Sequence, residues 1–486
     1  MNLPLVIKRA ALKDTVQLQP HQQRIADEAG ADPLRMLLVH ALGSGKSLSG
    51  IAAAERLGGP YTAIAPASLR QNYKGEIKKF TDEETPSDVM SYTEIAQGKP
   101  AEKLDTLIFD EAHKLRSPDS SQTRRAIELA QKAKQVLMLT GTPIVNRPGD
   151  LATPINMLTG KNLTPRDFES RYVTVNKKYP STWSWLTNNP TKELGVNREP
   201  ELRKLLKGHV DWYDPGKSIV PTQYEDIPVE MGKEQTELYQ AMWDKLPFYV
   251  KWKLKNNVSL SDAELQRTIS FLTGPRQAGL STYPYMKHKD PHTAFTQSTK
   301  LQSAFGKLQE SLKDERTKAL VFANYIDAGL TPYAAGLAKA GIPHGVFHGG
   351  LNDQERKKLV DDYNTNKIRV ALLGPSGTEG LSFKGTQLIQ LLDPYWNSVR
   401  PKQSVGRGLR YDSHNDLPED LKNVKVQRFL SRLPMSTWNS MLSTVGFDRS
   451  STTKSTDDHL ANIANNKEQL NRKFMDLLKS IGEEPR

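Results

Sequence analysis

The chain has 486 residues, 37% of them hydrophobic and 7% aromatic, with a formal net charge of +12 and no cysteine. Its length suits about two to four domains, and the missing cysteines exclude disulfides, thiolate-ligated zinc and thiol catalysis. The basic excess points to a polyanionic partner, nucleic acid before membrane. No segment has the apolar length of a bilayer span. The opening "MNLPLVIKRAALKD" is too poor in consecutive apolar residues for a secretory signal, so a soluble, intracellular chain is expected.

The first strand candidate, "MLLV", runs into "VHALGSGKS" at 39–47. The phosphate-loop template G-x-x-x-x-G-K-[ST] is kept at Gly45, Lys46 and Ser47, while His40 stands where the first glycine belongs. Leu42, Gly43, Ser44 and Gly45 form the turn whose backbone N–H groups would curl round a phosphate. Lys46 would reach its oxygens and the Ser47 hydroxyl would ligate Mg²⁺. The helix-like "KSLSGIAAAERL" follows, which gives the strand–loop–helix setting that the motif requires.

Further strands are expected at "YTAIAP", "DTLIFDEAH" and "QVLMLTGTP", with helices at "RQNYKGEIKKF" and "TRRAIELAQKA" between them. This is the βαβ pattern of a parallel sheet covered by helices. Asp110 and Glu111 of "LIFDEAH" leave such a sheet at its carboxyl edge. There Asp110 suits a metal's water shell, and Glu111 suits orienting or deprotonating a water. His113 is a candidate for coupling, and Thr140 and Thr142 of "LTGTP" end a strand with hydroxyls able to bond those acids.

Residues 160–297 are less regular and rich in Lys, Trp, Tyr and Pro; a mainly helical insertion is expected. Within it, "FYVKWKLKNN" (248–257) suits either stacking and phosphate contact or core packing. The alternation resumes at "KALVFANY", "PYAAGLAKAG", "HGVFHGG", "QERKKLVDDYNTN", "IRVALLG" and "TQLIQLLDP". It closes with "QSVGRGLR" (403–410), where Arg407 and Arg410 share one helical face. Beside Gln403, they are candidates to reach a γ-phosphate as arginine fingers. The closing stretch, opened by Ser455 or Thr456, reads as one amphipathic helix. The expected architecture is α/β, with two tandem α/β lobes at 1–159 and 298–440, an insertion at 160–297, and a helical segment at 441–486.

In order and spacing, "LQPHQ", "GSGKS", "APASLRQNYKGEIKKF", "DEAHKLRS", "LTGTPIVNRPGDL", "HGGLNDQER", "SGTEGLSF", "LLDPYWN" and "QSVGRGLR" resemble helicase superfamily 2, most of all its Snf2-like branch. "EGLSF", "DPYWN" and "GRGLRYDSH" look most like the helicase-type ATPases of large DNA viruses, nucleoside triphosphatase I and the early transcription factor ATPase, with phage counterparts. The resemblance implies that the two lobes are RecA-like, with ATP and Mg²⁺ as cofactors and the cytoplasm of a bacterial or infected cell as the setting. Gln22 would read adenine, and Glu379 and Gly380 would join the nucleic-acid track to the nucleotide. Ser68, Leu69, Tyr92, Thr142, His348, Ser376 and Thr378 fall in stretches that line that track. Where Snf2 relatives carry a double arginine after the first lobe, this chain has "GHVDWYDP" at 208–215.

Three functions are open at this level. The first is an ATP-driven motor that translocates on double-stranded DNA. The second is a strand-separating helicase with 160–297 as its wedge. The third is an accessory ATPase of a transcription or recombination assembly, docked through the terminal helix.

Overall fold

The computed structural model describes residues 12–484 apart from 30–32, 42, 83–86, 102–104, 179–190, 216–219, 256–261, 376–382, 394–412 and 435–455. The chain divides into two compact units, 1–216 with 467–486, and 217–466.

The first unit is built on a six-stranded sheet in the order β3-β2-β4-β5-β1-β8. Its strands are β1 (Arg35–His40), β2 (Tyr61–Ala65), β3 (Ser87–Ser91), β4 (Thr106–Asp110), β5 (Gln135–Thr140) and β8 (Val210–Tyr213). Every pairing is parallel. The central strands "MLLV", "TAIA", "LIF" and "VLML" are buried on both faces, which is why they read as unbroken apolar runs and not as an alternation. Helices α1 (Pro20–Glu28), α2 (Lys46–Leu57) and α3 (Arg70–Phe80) pack with Ile25, Ile51, Tyr73 and Ile77 on one layer of that core. An antiparallel pair, β6 (Val173–Lys178) and β7 (Thr191–Val196), also belongs to this unit.

The other face of the sheet is covered partly by the terminal helix, Thr456–Gly482. Leu470, Phe474, Leu477, Leu478 and Ile481 are buried with Phe168, Leu202 and Leu206, and Phe474 lies 5.9 Å from the Phe168 ring. Arg203 adds bonds to Glu484 and Ser480. The terminal helix, the docking surface under the accessory-ATPase reading, thus places its described apolar side chains in the unit's own core.

The second unit repeats the plan in the order β11-β12-β10-β13-β14-β9. It consists of β9 (Thr222–Glu230), β10 (Ala319–Phe322), β11 (His344–Phe347), β12 (Val370–Leu373), β13 (Leu388–Leu391) and β14 (Val424–Arg432), again all parallel. The region 160–297, expected as a mainly helical insertion, contributes β8 to one sheet and β9 to the other, as well as the β6–β7 pair. Its helices Lys233–Asp244, Phe248–Lys255 and Asp262–Leu280 enclose a small separate core with Tyr239, Trp243, Val250 and Leu272. No helix among the described residues is long and apolar enough to cross a membrane.

Candidate nucleotide site

Strand order brings the motifs of the first unit to one edge. β5 lies between β1 and β4, so the loop after β1 and the acids after β4 flank Thr140 at the carboxyl end of β5. Register confirms the level, with Val39 paired to Thr140 and Asp110 to Leu139.

The loop has the backbone of a phosphate cradle. Gly43 and Gly45 take φ of 83° and 76°, left-handed values that L side chains adopt at a cost. α2 then opens at Lys46, so its unpaired N–H groups and positive dipole end face the loop. A Cβ on Gly45 would lie 2.5 Å from Gln22 Nε2. Gln22 is buried and grips the loop itself. Its Nε2 donates to the carbonyls of Ser44 at 3.4 Å and Gly45 at 3.3 Å, while its Oε1 accepts from the Gln19 N–H at 2.9 Å. The glycine turn, the helix start and the Ser47 hydroxyl fit a nucleotide's phosphates, and Asp110 completes an oxygen set suited to Mg²⁺.

Asp110 ends β4, and Glu111 takes a left-handed backbone, φ 51° and ψ 47°, which turns the chain sharply after the strand. Burial pushes the Asp110 carboxyl above its ordinary range; the charge of Glu111 adds to this and Lys46 opposes it. A cation beside Asp110 would reverse that shift.

The coupling residues are brought together. His113 is buried, with Nδ1 3.2 Å from Glu111 Oε2 and 3.3 Å from Thr140 Oγ1. Thr140 Oγ1 in turn accepts from the Thr142 N–H at 3.1 Å. Just beyond, Asp150 accepts from the N–H groups of Val145, Asn146 and Arg147 at 2.9, 2.6 and 3.3 Å, which fixes the turn after "LTGTP". A polar path thus runs from Glu111 through His113 and Thr140 to the loop that follows β5.

The residues expected on a nucleic-acid track are placed unevenly. Ser68 is exposed and Leu69 half-buried in a short turn after β2, Thr142 is half-buried, and in the second unit His348 follows β11 and accepts from the Gly350 N–H at 3.1 Å. Tyr92 is the correction: it is buried, and its hydroxyl donates to the Asp110 carbonyl at 2.8 Å, so it supports the acid-bearing strand from beneath. Phe248 and Tyr249 of "FYVKWKLKNN" are exposed, at 70% and 43%, while Val250 beside them is buried in the small core. Leu42, Ser376, Thr378, Glu379, Gly380, Gln403, Arg407 and Arg410 lie outside the described residues.

Sequence reasoning missed the groups around His40. This residue is fully buried, and its Nε2 lies 2.7 Å from Asp211 Oδ2 on β8. Arg24 on α1 donates to both Asp211 oxygens at 3.0 and 3.1 Å. In the second unit Asp393 of "LLDPYWN" is also buried. It accepts from Asn324 at 2.8 and 2.7 Å and from Arg276 of "GPRQAG" at 3.3 Å.

A doubly wound parallel sheet carrying a phosphate loop after β1, with an acid pair at the end of β4 one strand further on, defines a nucleotide hydrolase of the P-loop class. Residues 90–281 match the SNF2-related domain and residues 302–412 the helicase conserved C-terminal domain. A candidate ATP-dependent RNA helicase of Acanthamoeba polyphaga mimivirus is 24% identical over 87% of this chain and 90% of its own length. A termination factor NPH-I homologue of African swine fever virus is 22% identical over 93% of this chain and 76% of its own. The SWI2/SNF2 ATPase core of Sulfolobus solfataricus, solved with double-stranded DNA, aligns over 97% of this chain and 98% of its own at 18% identity and a TM-score of 0.36. The chain belongs to the Snf2-like branch of the superfamily 2 helicase-type ATPases.

Proposed function

We propose that this protein couples ATP hydrolysis to translocation along double-stranded DNA. The observation that carries the reading is the path Glu111–His113–Thr140–Thr142. A hydrolase alone needs the loop and the acids; a motor also needs the state of the acid to reach a surface that touches its track.

In this reading Gln22 and the loop N–H groups bind the nucleotide, Lys46 neutralises phosphate charge, and Glu111 orients the water and takes its proton. Ser47 and Asp110 would hold Mg²⁺, which supplies charge neutralisation at the phosphate oxygens when bound. Arg407 and Arg410 serve the γ-phosphate and Gln403 accompanies them, while Glu379 and Gly380 join track to nucleotide. Ser68, Leu69, Thr142, His348, Ser376 and Thr378 follow the phosphates, helped by the chain's net charge of +12, and exposed Phe248 and Tyr249 offer rings to bases or sugars.

The experiment compares ATP hydrolysis with duplex DNA, single-stranded DNA and RNA. The proposal expects duplex DNA to stimulate most. RNA as the strongest activator would move the assignment to RNA, in line with the name of the mimivirus relative. No stimulation by any of the three would favour the accessory-ATPase reading.

A further inference from the structure

The phosphate-loop template calls for glycine at position 40, and a buried histidine there must be held by something. Three elements hold it. β1 ends in His40, whose Nε2 meets Asp211 at 2.7 Å. β8 supplies Asp211, only 1% exposed, and lies parallel to β1 with Leu38 paired to Asp211 and His40 to Tyr213. α1 supplies Arg24, bonded to both carboxylate oxygens of Asp211 and at 3.4 Å to the Trp212 carbonyl.

The same elements touch the loop directly. His21 on α1 places Nε2 2.9 Å from the Ser44 carbonyl, and its ring stacks on Tyr213 at 3.6 Å and 4°. The Tyr213 carbonyl accepts from the Ala41 N–H at 2.9 Å. Gln22, next to His21, holds the Ser44 and Gly45 carbonyls. The segment "GHVDWYDP", where the double arginine of Snf2 relatives is missing, is therefore the strand that brackets this loop.

We propose that Asp211 is a positioning residue for the nucleotide. Its carboxylate ties the end of β1, through His40, to α1, through Arg24, and so sets the distance between the phosphate loop and Gln22. A shared anchor of this kind acts on ground-state binding. The nucleotide must span loop and helix, and slack between them is removed only at the expense of affinity. Hydrolysis once bound depends on Lys46 and Glu111, which Asp211 does not touch. The inference rests on the reading of the first unit as a nucleotide site.

The test uses the full-length protein with Asp211→Asn, Asp211→Ala and Arg24→Gln. KM for ATP, kcat at saturating ATP and the affinity for a fluorescent ADP analogue are measured. Asp211→Ala should raise KM and weaken ADP binding about tenfold, the worth of a charge-assisted hydrogen bond, while kcat falls less than about threefold. Asp211→Asn keeps an acceptor for one partner and should fall between wild type and Asp211→Ala. Arg24 is half-exposed, so Arg24→Gln leaves no new buried charge beyond Asp211 itself. It carries the test if Asp211→Ala fails to fold, with the same split expected on a smaller scale. Unchanged KM and ADP affinity in folded variants would overturn the proposal, and so would a fall in kcat and thermal midpoint with KM preserved. Wild-type protein that bound no ADP would instead overturn the nucleotide-site reading.

Discussion

In the proposed mechanism Lys46 serves binding and Glu111 serves turnover, and substitution separates the two roles. Lys46 stands at the first position of α2 and is partly exposed, so Lys46→Ala should reduce hydrolysis to background without disturbing the fold. Glu111→Gln keeps the shape of the side chain and loses the base. It should retain ATP binding while turnover drops by about 10²–10⁴-fold, the usual contribution of a general base. A filter-binding assay beside a phosphate-release assay checks both.

Lys318 tests a different physical point. It precedes β10, at the sheet edge away from the strands' carboxyl ends, and is buried. Its ammonium donates to the Tyr363 carbonyl at 3.1 Å and lies 4.6 Å from the Tyr363 ring. Burial lowers its pKa from 10.5 to about 8. Between those values the unfolded chain binds more protons than the folded one, so this group makes stability rise with pH through that window. Below about pH 8 its full desolvation cost remains. Lys318→Met should therefore stabilise the second unit by about 1–3 kcal/mol at pH 7, with the gain shrinking toward pH 10.5. Urea unfolding of both proteins at several pH values measures it.

At the scale of elements, the terminal helix is decided by its packing. If its apolar face belongs to the core, Phe474→Ala should destabilise the first unit by about 3–5 kcal/mol and leave unfolding of the second unchanged. A docking helix would show no such loss. Chemical denaturation followed by probes in each unit distinguishes the two.

Elements also show what was legible in the sequence. β1, β2, β4, β5, β10, β12 and β13 are buried on both faces, so apolar residues must be consecutive there, and their sequences announce them. β8 and β9 sit at the sheet edges. "VDWY" and "TQYEDIPVE" carry side chains for solvent and for particular partners, and no periodicity marks them. "VKVQRFLSR" of β14 begins to alternate, but Val426 and Gln427 are buried in succession and break the phase. Site residues follow the same logic. Gly45, Lys46, Asp110 and Glu111 are local motifs, whose backbone task fixes their type and spacing. Asp211 meets His40 and Arg24 from 171 and 187 residues away, so no local pattern foretells the contact. Tyr92 is expected on the track because the resemblance places its stretch there; its burial and its bond to the Asp110 carbonyl assign it otherwise.

At the scale of the molecule, the question is what hydrolysis accomplishes. The net charge of +12 favours a phosphate-tracking grip with little base preference. Separating base pairs costs about 1.4 kcal/mol of stacking per step and needs a rigid wedge to direct it. The region 160–297, the candidate wedge under the helicase reading, contributes a strand to each sheet and side chains to the cores. The most direct measurement places a triplex-forming third strand on duplex DNA beside a forked duplex, each incubated with the protein and ATP. Translocation on intact duplex predicts ATP-dependent displacement of the third strand, abolished by Glu111→Gln, with little opening of the fork. Efficient fork opening without third-strand displacement would contradict it.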